Sequence, residues 1–288
     1  MTPTYPKTAL HVVLGAGPIG HAIANALSAQ GSRVRIVSRS GKAPGVPESV
    51  EVCAADLTDP DAALGAVGGA TVVYHCAAPA YHRWVQEFPA LQDSIVTAVA
   101  HTGARLVVVE NLYTYGTSGV LNEDLPQRAT GPKGQVRAAM SSRLLADHRA
   151  GRIDATIARA SDLFGPGVAI SSLGERFWPQ LLQGKPIRWF GDPSAPHSFT
   201  YLPDLARAMI RLGASDAAVG RAWHVPSLPA MPVAALAARA ADLAGLPAPR
   251  ISVTPRLMMR LAGLFVPAAG EMVEIEYQFT NHFEISSA

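Results

Sequence analysis

Gly15-Ala16-Gly17-Pro18-Ile19-Gly20 carries the most specific chemical implication in this chain. In a G-x-G-x-x-G turn the first glycine permits a tight bend off a strand. The second lets the backbone approach a pyrophosphate with no Cβ in the way, and the third lets the following helix pack close to its sheet. The helix start then offers unpaired N–H groups and partial positive charge to the phosphates. Pro18 suits the first helical position, where no N–H is required. The turn follows an apolar run, Leu10-His11-Val12-Val13-Leu14, and opens a segment with Ile19, Ile23, Ala26 and Leu27 at helical spacing. That context separates a dinucleotide cradle from an idle glycine turn.

The next apolar run, 33–37, leads into Ser38, Arg39 and Ser40. An acidic residue at this point would bind a ribose 2′-hydroxyl, and none is present. A guanidinium between two serines suits a 2′-phosphate through charge-assisted hydrogen bonds. The expectation is NADP(H) in preference to NAD(H), with Arg39 as a merely solvated loop residue the bland alternative.

A third group of residues could meet a substrate. The fourth strand leads into Ala78-Pro79-Ala80-Tyr81-His82-Arg83-Trp84, and loops at strand carboxyl ends face the ligand crevice of parallel sheets. Tyr81, His82 and Trp84 are candidate contacts, although packing accounts for such aromatics equally well. Between 173 and 200 the chain concentrates Phe177, Trp178, Trp189, Phe190, His197 and Phe199, which suggests an apolar pocket beside the sheet.

These residues need a frame. The patterns predict strands over 10–14, 33–37, 50–54, 71–76, 105–109 and 155–160, and helices over 18–30, 61–67, 84–102 and 133–151. Repeated strand–helix–strand order implies an α/β fold, a doubly wound parallel sheet with right-handed crossovers. A helix over 204–212, a strand over 222–225 and a helix over 232–246 follow. The expected division is a nucleotide-binding Rossmann domain of residues 1–165 plus 204–228, and a smaller substrate lobe of 166–203 plus 229–288. The run 257–269 reads as one covering helix, and 271–288 shows no clear pattern.

Composition narrows the classes. Of 288 residues, 49% are hydrophobic and 16% charged, which fits a packed enzyme-like chain and excludes disorder. A net charge of +2 without a basic block argues against nucleic acid as a partner. The two cysteines, Cys53 and Cys76, form no metal or disulfide pattern. Residues 1–8 lack signal-peptide character and no apolar run reaches a membrane span of about 20 residues. A cytoplasmic protein with a small-molecule substrate, no membrane partner and no metal is expected.

With these features assembled, the chain resembles the extended short-chain dehydrogenase/reductase group, the NAD-dependent epimerase/dehydratase-like family. Further segments carry the likeness. Asp56-Leu57 resembles the pair beside the adenine ring. His75-Cys76-Ala77-Ala78 resembles the H-x-A-A turn along the cofactor. Tyr115-Gly116 and Phe164-Gly165-Pro166-Gly167 resemble the family's Tyr-Gly and Tyr-Gly-Pro-Gly. The segment from Phe199 to Ala206 resembles its Phe-Val-His-Val-Asp-Asp-Leu-Ala. The likeness implies cofactor contacts from Gly15, Gly17, Pro18, Ile19, Gly20, Asp56, Leu57, Ala77 and Ala78, and a substrate-side place for Phe164. It also implies a homodimer built through the helices 84–102 and 133–151.

The resemblance breaks at the catalytic centre. Family enzymes pair a tyrosine with a lysine four residues later, assisted by a serine or threonine, and no Tyr-x-x-x-Lys occurs in this chain. Lys133 falls where the tyrosine belongs, Arg137 where the lysine belongs, and Asn111 where the serine belongs. Tyr113 is a nearby phenol able to replace the missing one, as is Tyr115. Arg137 can hold a ribose but hardly acts as a base. The leading expectation is an NADP(H)-dependent oxidoreductase acting on a small, fairly apolar carbonyl, alcohol or enone, with Lys133, Tyr113, Asn111 and Arg137 as candidate catalytic residues. The alternatives are a non-catalytic NADP(H)-binding regulator, and an epimerase, dehydratase or other non-redox enzyme on the same fold.

Overall fold

The computed structural model describes residue 6, residues 8–263, residue 265 and residues 267–287. The reading of 1–8 and part of the run 257–269 therefore lie outside the described residues.

The order over the first half is β1 (Leu10–Leu14), α1 (Pro18–Ala29), β2 (Arg33–Ser38), β3 (Val50–Ala54), α2 (Pro60–Val67), β4 (Val72–His75), α3 (Trp84–Thr102) and β5 (Arg105–Glu110). A short strand β6 (Gly119–Leu121) precedes α4 (Pro132–Arg149) and β7 (Asp154–Arg159). The second half holds β8 (Asp162–Phe164), α5 (Trp178–Leu182), β9 (Ile187–Trp189), β10 (Pro196–His197), β11 (Phe199–Tyr201), α6 (Leu202–Gly213) and β12 (Ala222–His224). It ends with β13 (Met231–Pro232), α7 (Val233–Leu243), β14 (Ile251–Val253), α8 (Arg256–Gly263), α9 (Pro267–Glu274), α10 (Tyr277–Thr280) and β15 (Phe283–Ile285).

Seven strands form one parallel sheet in the order β12-β7-β5-β4-β1-β2-β3. Its central strands are mostly apolar because helices cover both faces; every residue of β1 and of β4 is buried, His11 and His75 included. One core layer packs Leu14, Val73, Phe88, Ile95, Leu106 and Leu144 under α2, α3 and α4. The other packs Val13, Ile23, Leu27, Val107, Leu205 and Met209 under α1 and α6. The order reverses beside β1, so the carboxyl ends of β1, β4 and β5 border the crevice where such sheets take ligands.

Outside this sheet, β13-β10-β15-β6 form a four-stranded sheet, β8 pairs with β11, and β9 pairs with β14. A third core of Leu173, Phe177, Trp189, Phe199, Val233 and Phe279 joins them. Most of the aromatic residues between 173 and 200 are spent on this core. The single helix expected over 257–269 is two, α8 and α9, because Gly263 ends one and Pro267 starts the next. The unpatterned terminus resolves into α10 and β15, whose alternation was too short to read.

Candidate active site

The three glycines of the turn meet different surroundings. A Cβ on Gly15, whose φ is +104°, would lie 2.8 Å from the Ala77 nitrogen. A Cβ on Gly20 would lie 1.9 Å from the Gly15 oxygen. At Gly17 nothing stands within 4 Å. Gly15 and Gly20 thus knit β1, α1 and the β4 loop together, while Gly17 faces open space at the start of α1. No side chain caps that helix, and Pro18 is its first residue. This is the cradle a pyrophosphate requires, so the chain fits a dinucleotide.

Beyond the cradle, Ser38 closes its own turn, its Oγ donating to the Lys42 oxygen at 2.9 Å and accepting from the Lys42 N–H. Arg39 and Ser40 are exposed, and Leu57 is buried. Asp56 is held below the usual carboxylate range, first by the Thr58 hydroxyl and N–H and also by the Arg39 charge. Ala77 is half-buried against Gly15 and Ala78 is exposed.

The crevice beyond β4 and β5 gathers Tyr81, Trp84, Tyr113 and Lys133. The Tyr81 hydroxyl donates to the Tyr113 hydroxyl at 3.3 Å. The Trp84 ring lies 4.9 Å from Tyr81 and 6.3 Å from Tyr113, and its N–H donates to the Pro79 oxygen. Lys133 is buried, its Nζ 4.5 Å from the Tyr81 ring centre and 3.9 Å from Glu274. Glu274 also accepts the backbone N–H of Lys133 at 2.9 Å, so α9 supplies the carboxylate that the start of α4 lacks locally. Gly134 is where α4 approaches the Tyr113 turn; a Cβ there would lie 2.7 Å from the Tyr113 oxygen.

Tyr113 is pushed well above the ordinary tyrosine value, first by burial and then by Tyr81 and the Asp162 charge. Its phenol is therefore a donor that resists ionising, unlike a tyrosine beside an unpaired lysine. Asn111 accepts the Tyr113 N–H through its Oδ1 at 3.2 Å and so shapes the turn that presents this phenol.

Beneath the crevice lies a buried ionic layer. Arg137 is 2% exposed, donates to the Val109 oxygen, sits 3.6 Å from Glu110 and stacks 4.5 Å from the Phe88 ring centre. Burial lowers its pKa. Its Nε and Nη1, like both ring nitrogens of His75, have no hydrogen-bond partner among the described residues. Burial and then Arg137 depress the His75 pKa to about 3. Arg159 donates to Glu110, Tyr115 and Ser141. Tyr115, fully buried, also hydrogen-bonds His224 at 2.7 Å. Of the two phenols, Tyr115 is tied into the core, and Tyr113 is half-buried beside Tyr81 and Trp84.

The remaining substrate-side residues are dispersed. His82 is exposed. Trp178 packs on Phe177, and Phe164 lies 5.3 Å from the Tyr201 ring. His197 is buried between Phe279 and Phe283, its Nε2 2.8 Å from Asp162. Sequence reading missed Asp162 and Glu274. Asp162 was findable, because it lies three residues past the carboxyl end of β7, where parallel sheets place ligand contacts. Glu274 reaches the site from a helix with no legible pattern.

The sequence matches the NAD dependent epimerase/dehydratase family over residues 11–225. The chain belongs to this family. It is 28% identical over 255 residues to a 2-alkyl-3-oxoalkanoate reductase of Stenotrophomonas maltophilia, covering 82% of this chain and 75% of that one. Among solved structures, a dTDP-glucose 4,6-dehydratase of Bacillus anthracis in complex with NAD has a TM-score of 0.77 at 13% identity, over 97% of this chain and 88% of that one. A UDP-N-acetylglucosamine 4-epimerase of Methanobrevibacter ruminantium has a TM-score of 0.76 at 22% identity, over 86% of each chain. At these identities the structures share the family's fold. The named family members are enzymes, and among the described residues no helix is long and apolar enough to cross a membrane.

Proposed function

We propose that this protein is an NADP(H)-dependent oxidoreductase that reduces a small, fairly apolar carbonyl compound, with Tyr113 donating the proton. The observation that carries the reading is the Tyr81–Tyr113 hydroxyl pair, at 3.3 Å, off the carboxyl end of β5. The neighbouring strand, β4, ends beside Ala77, which touches the glycine turn. A tyrosine held protonated suits donation to the oxygen of a carbonyl undergoing reduction.

When bound, the cofactor supplies a hydride. Gly17 and the start of α1 hold its pyrophosphate, and Arg39 with Ser40 takes the 2′-phosphate. Tyr113 donates to the substrate oxygen. Tyr81 donates to Tyr113 and keeps its hydroxyl in place, while Lys133 holds the Tyr81 ring from the other side. Trp84 offers an apolar wall that keeps water from the reacting carbon. Asn111 fixes the turn, and the buried Arg137 would lend its charge to the cofactor's nicotinamide half. The aromatic surroundings and the reductase relative both favour an apolar carbonyl over a nucleotide sugar.

The test is NADPH oxidation by the purified protein with 2-alkyl-3-oxo acids and esters, simple cyclic ketones and UDP-sugars, with Tyr113→Phe in parallel. Turnover on the oxo compounds that collapses in Tyr113→Phe, with NADPH affinity intact, supports the reading. Equal rates in Tyr113→Phe, or turnover confined to the UDP-sugars, would sink it.

A further inference from the structure

His21 lies in the first turn of α1 and bridges two backbone carbonyls. Its Nδ1 is 3.0 Å from the Gly17 oxygen and its Nε2 is 3.0 Å from the Pro44 oxygen. Carbonyl oxygens only accept, so both ring nitrogens donate and the imidazole carries a positive charge in this geometry. The two carbonyls belong to different parts of the cofactor site. Gly17 is the open glycine of the pyrophosphate cradle, and its oxygen also accepts the His21 N–H at 2.9 Å. Pro44 ends the segment that leaves β2 with Arg39, Ser40 and Lys42 exposed. The Ser38–Lys42 turn folds that segment back at its start, and buried Ala43 seats it in the core with Ile23 and Leu27 of α1. His21 ties its far end to the glycine turn.

The charges on these elements point to the ligand. No acidic residue occurs before Glu48, whereas Lys7, Arg33, Arg35, Arg39 and Lys42 all precede it. Of the carboxylates on neighbouring elements, Glu51 pairs with Arg35, Asp204 at the start of α6 pairs with Arg207, and Asp56 accepts from Thr58. We infer that His21 is a specificity-determining residue of the dinucleotide site: it aims the Arg39 segment at a phosphate monoester on the adenosine half of the cofactor, and its charge adds to theirs. The inference rests on the NADP(H) reading above. The role is one of positioning, because the ring spends both its donors on backbone and acts through the segment that it holds.

Calorimetric titration of the full chain with NADPH, NADH, 2′,5′-ADP and 5′-AMP tests this. His21→Ala is expected to weaken NADPH and 2′,5′-ADP about tenfold and to leave NADH and 5′-AMP within about twofold. In the Arg39→Ala background the same substitution should change little, because what it positions is gone. Unchanged NADPH affinity, equal losses for the two dinucleotides, or a full tenfold loss without Arg39 overturns the inference. A wild type that binds NADH as tightly as NADPH refutes the cofactor reading itself, and the inference falls with it. A wild type that prefers NADPH, with that preference intact in His21→Ala, removes the inference alone. A further measurement needs no cofactor. NMR of the ¹⁵N-histidine-labelled protein at neutral pH, with His21 assigned by its loss in His21→Gln, should show both of its ring nitrogens protonated. One bare nitrogen overturns the two-carbonyl bridge.

Discussion

Lys133 holds its ammonium 4.5 Å from the centre of the Tyr81 ring, so the residue expected at the family's tyrosine position grips a tyrosine from another element. A desolvated cation–π contact is worth about 2 kcal/mol. Its partner on the other side is Glu274. Lys133→Met should therefore loosen Tyr81 and slow turnover about tenfold. Tyr113→Phe should slow it by about 100-fold or more. Pre-steady-state NADPH oxidation distinguishes the two. Equal losses would mean that Lys133 itself carries the proton.

The glycine turn separates folding from binding. Gly20→Ala places a methyl 1.9 Å from the Gly15 oxygen and should unfold the α1 start, lowering the melting temperature sharply. Gly17→Ala meets no protein atom within 4 Å. It should melt near the wild-type temperature yet lose cofactor binding, by thermal shift and by fluorescence titration with NADPH.

Arg39 should decide between the two dinucleotides. Hydrogen bonds to a charged group are worth about 1.5–3 kcal/mol, so Arg39→Ala should weaken NADPH binding about 10- to 100-fold. NADH affinity should change little. Calorimetric titration of both cofactors checks this, and parallel losses would remove Arg39 from the 2′-phosphate site.

Two buried histidines predict an acid instability. His11 is lowered to about 4 and His75 to about 3, in both cases first by burial, from the ordinary 6.5. Below pH 6.5 the unfolded chain binds protons that the folded chain refuses. Stability is thus complete above about 6.5 and falls as pH drops towards 3, by up to about 1.4 kcal/mol per pH unit for each histidine. Melting temperatures across this range should fall steadily, and His75→Gln should flatten the acid end.

Glu110 is the carboxylate shared by Arg137 and Arg159. Glu110→Gln leaves two buried guanidiniums without a counter-charge and should cost about 3–5 kcal/mol. Denaturant unfolding measures it. A loss under about 1 kcal/mol would show that solvent reaches this layer.

The sequence was most legible where one short stretch carries both a structural and a chemical demand. The turn at Gly15 to Gly20 announces a bend, a close approach and a helix start within six residues, and the strand and helix limits around it fall within a residue or two of those expected. Lys133, Arg137 and Asn111 were legible as departures at known places, but their surroundings were not. Nothing local in the sequence announces that Glu274 reaches back 141 positions to cap α4 and neutralise Lys133. His197 read as one aromatic-zone residue among several, because its meaning lies in Asp162, 35 positions earlier. Charge pairing between distant loops leaves no periodicity to detect.

The one-to-two ratio of Glu110 to its guanidiniums has an effect beyond stability. Within this trio the guanidiniums outnumber the carboxylate, close to His75, whose protonation is disfavoured first by burial and then by Arg137. Arginine stays protonated across the working pH range, and mobile ions cannot approach a side chain that is 2% exposed. The field of this trio is therefore screened by salt less than that of a surface charge, and an oxygen gathering negative charge nearby would feel it across a wide range of buffers.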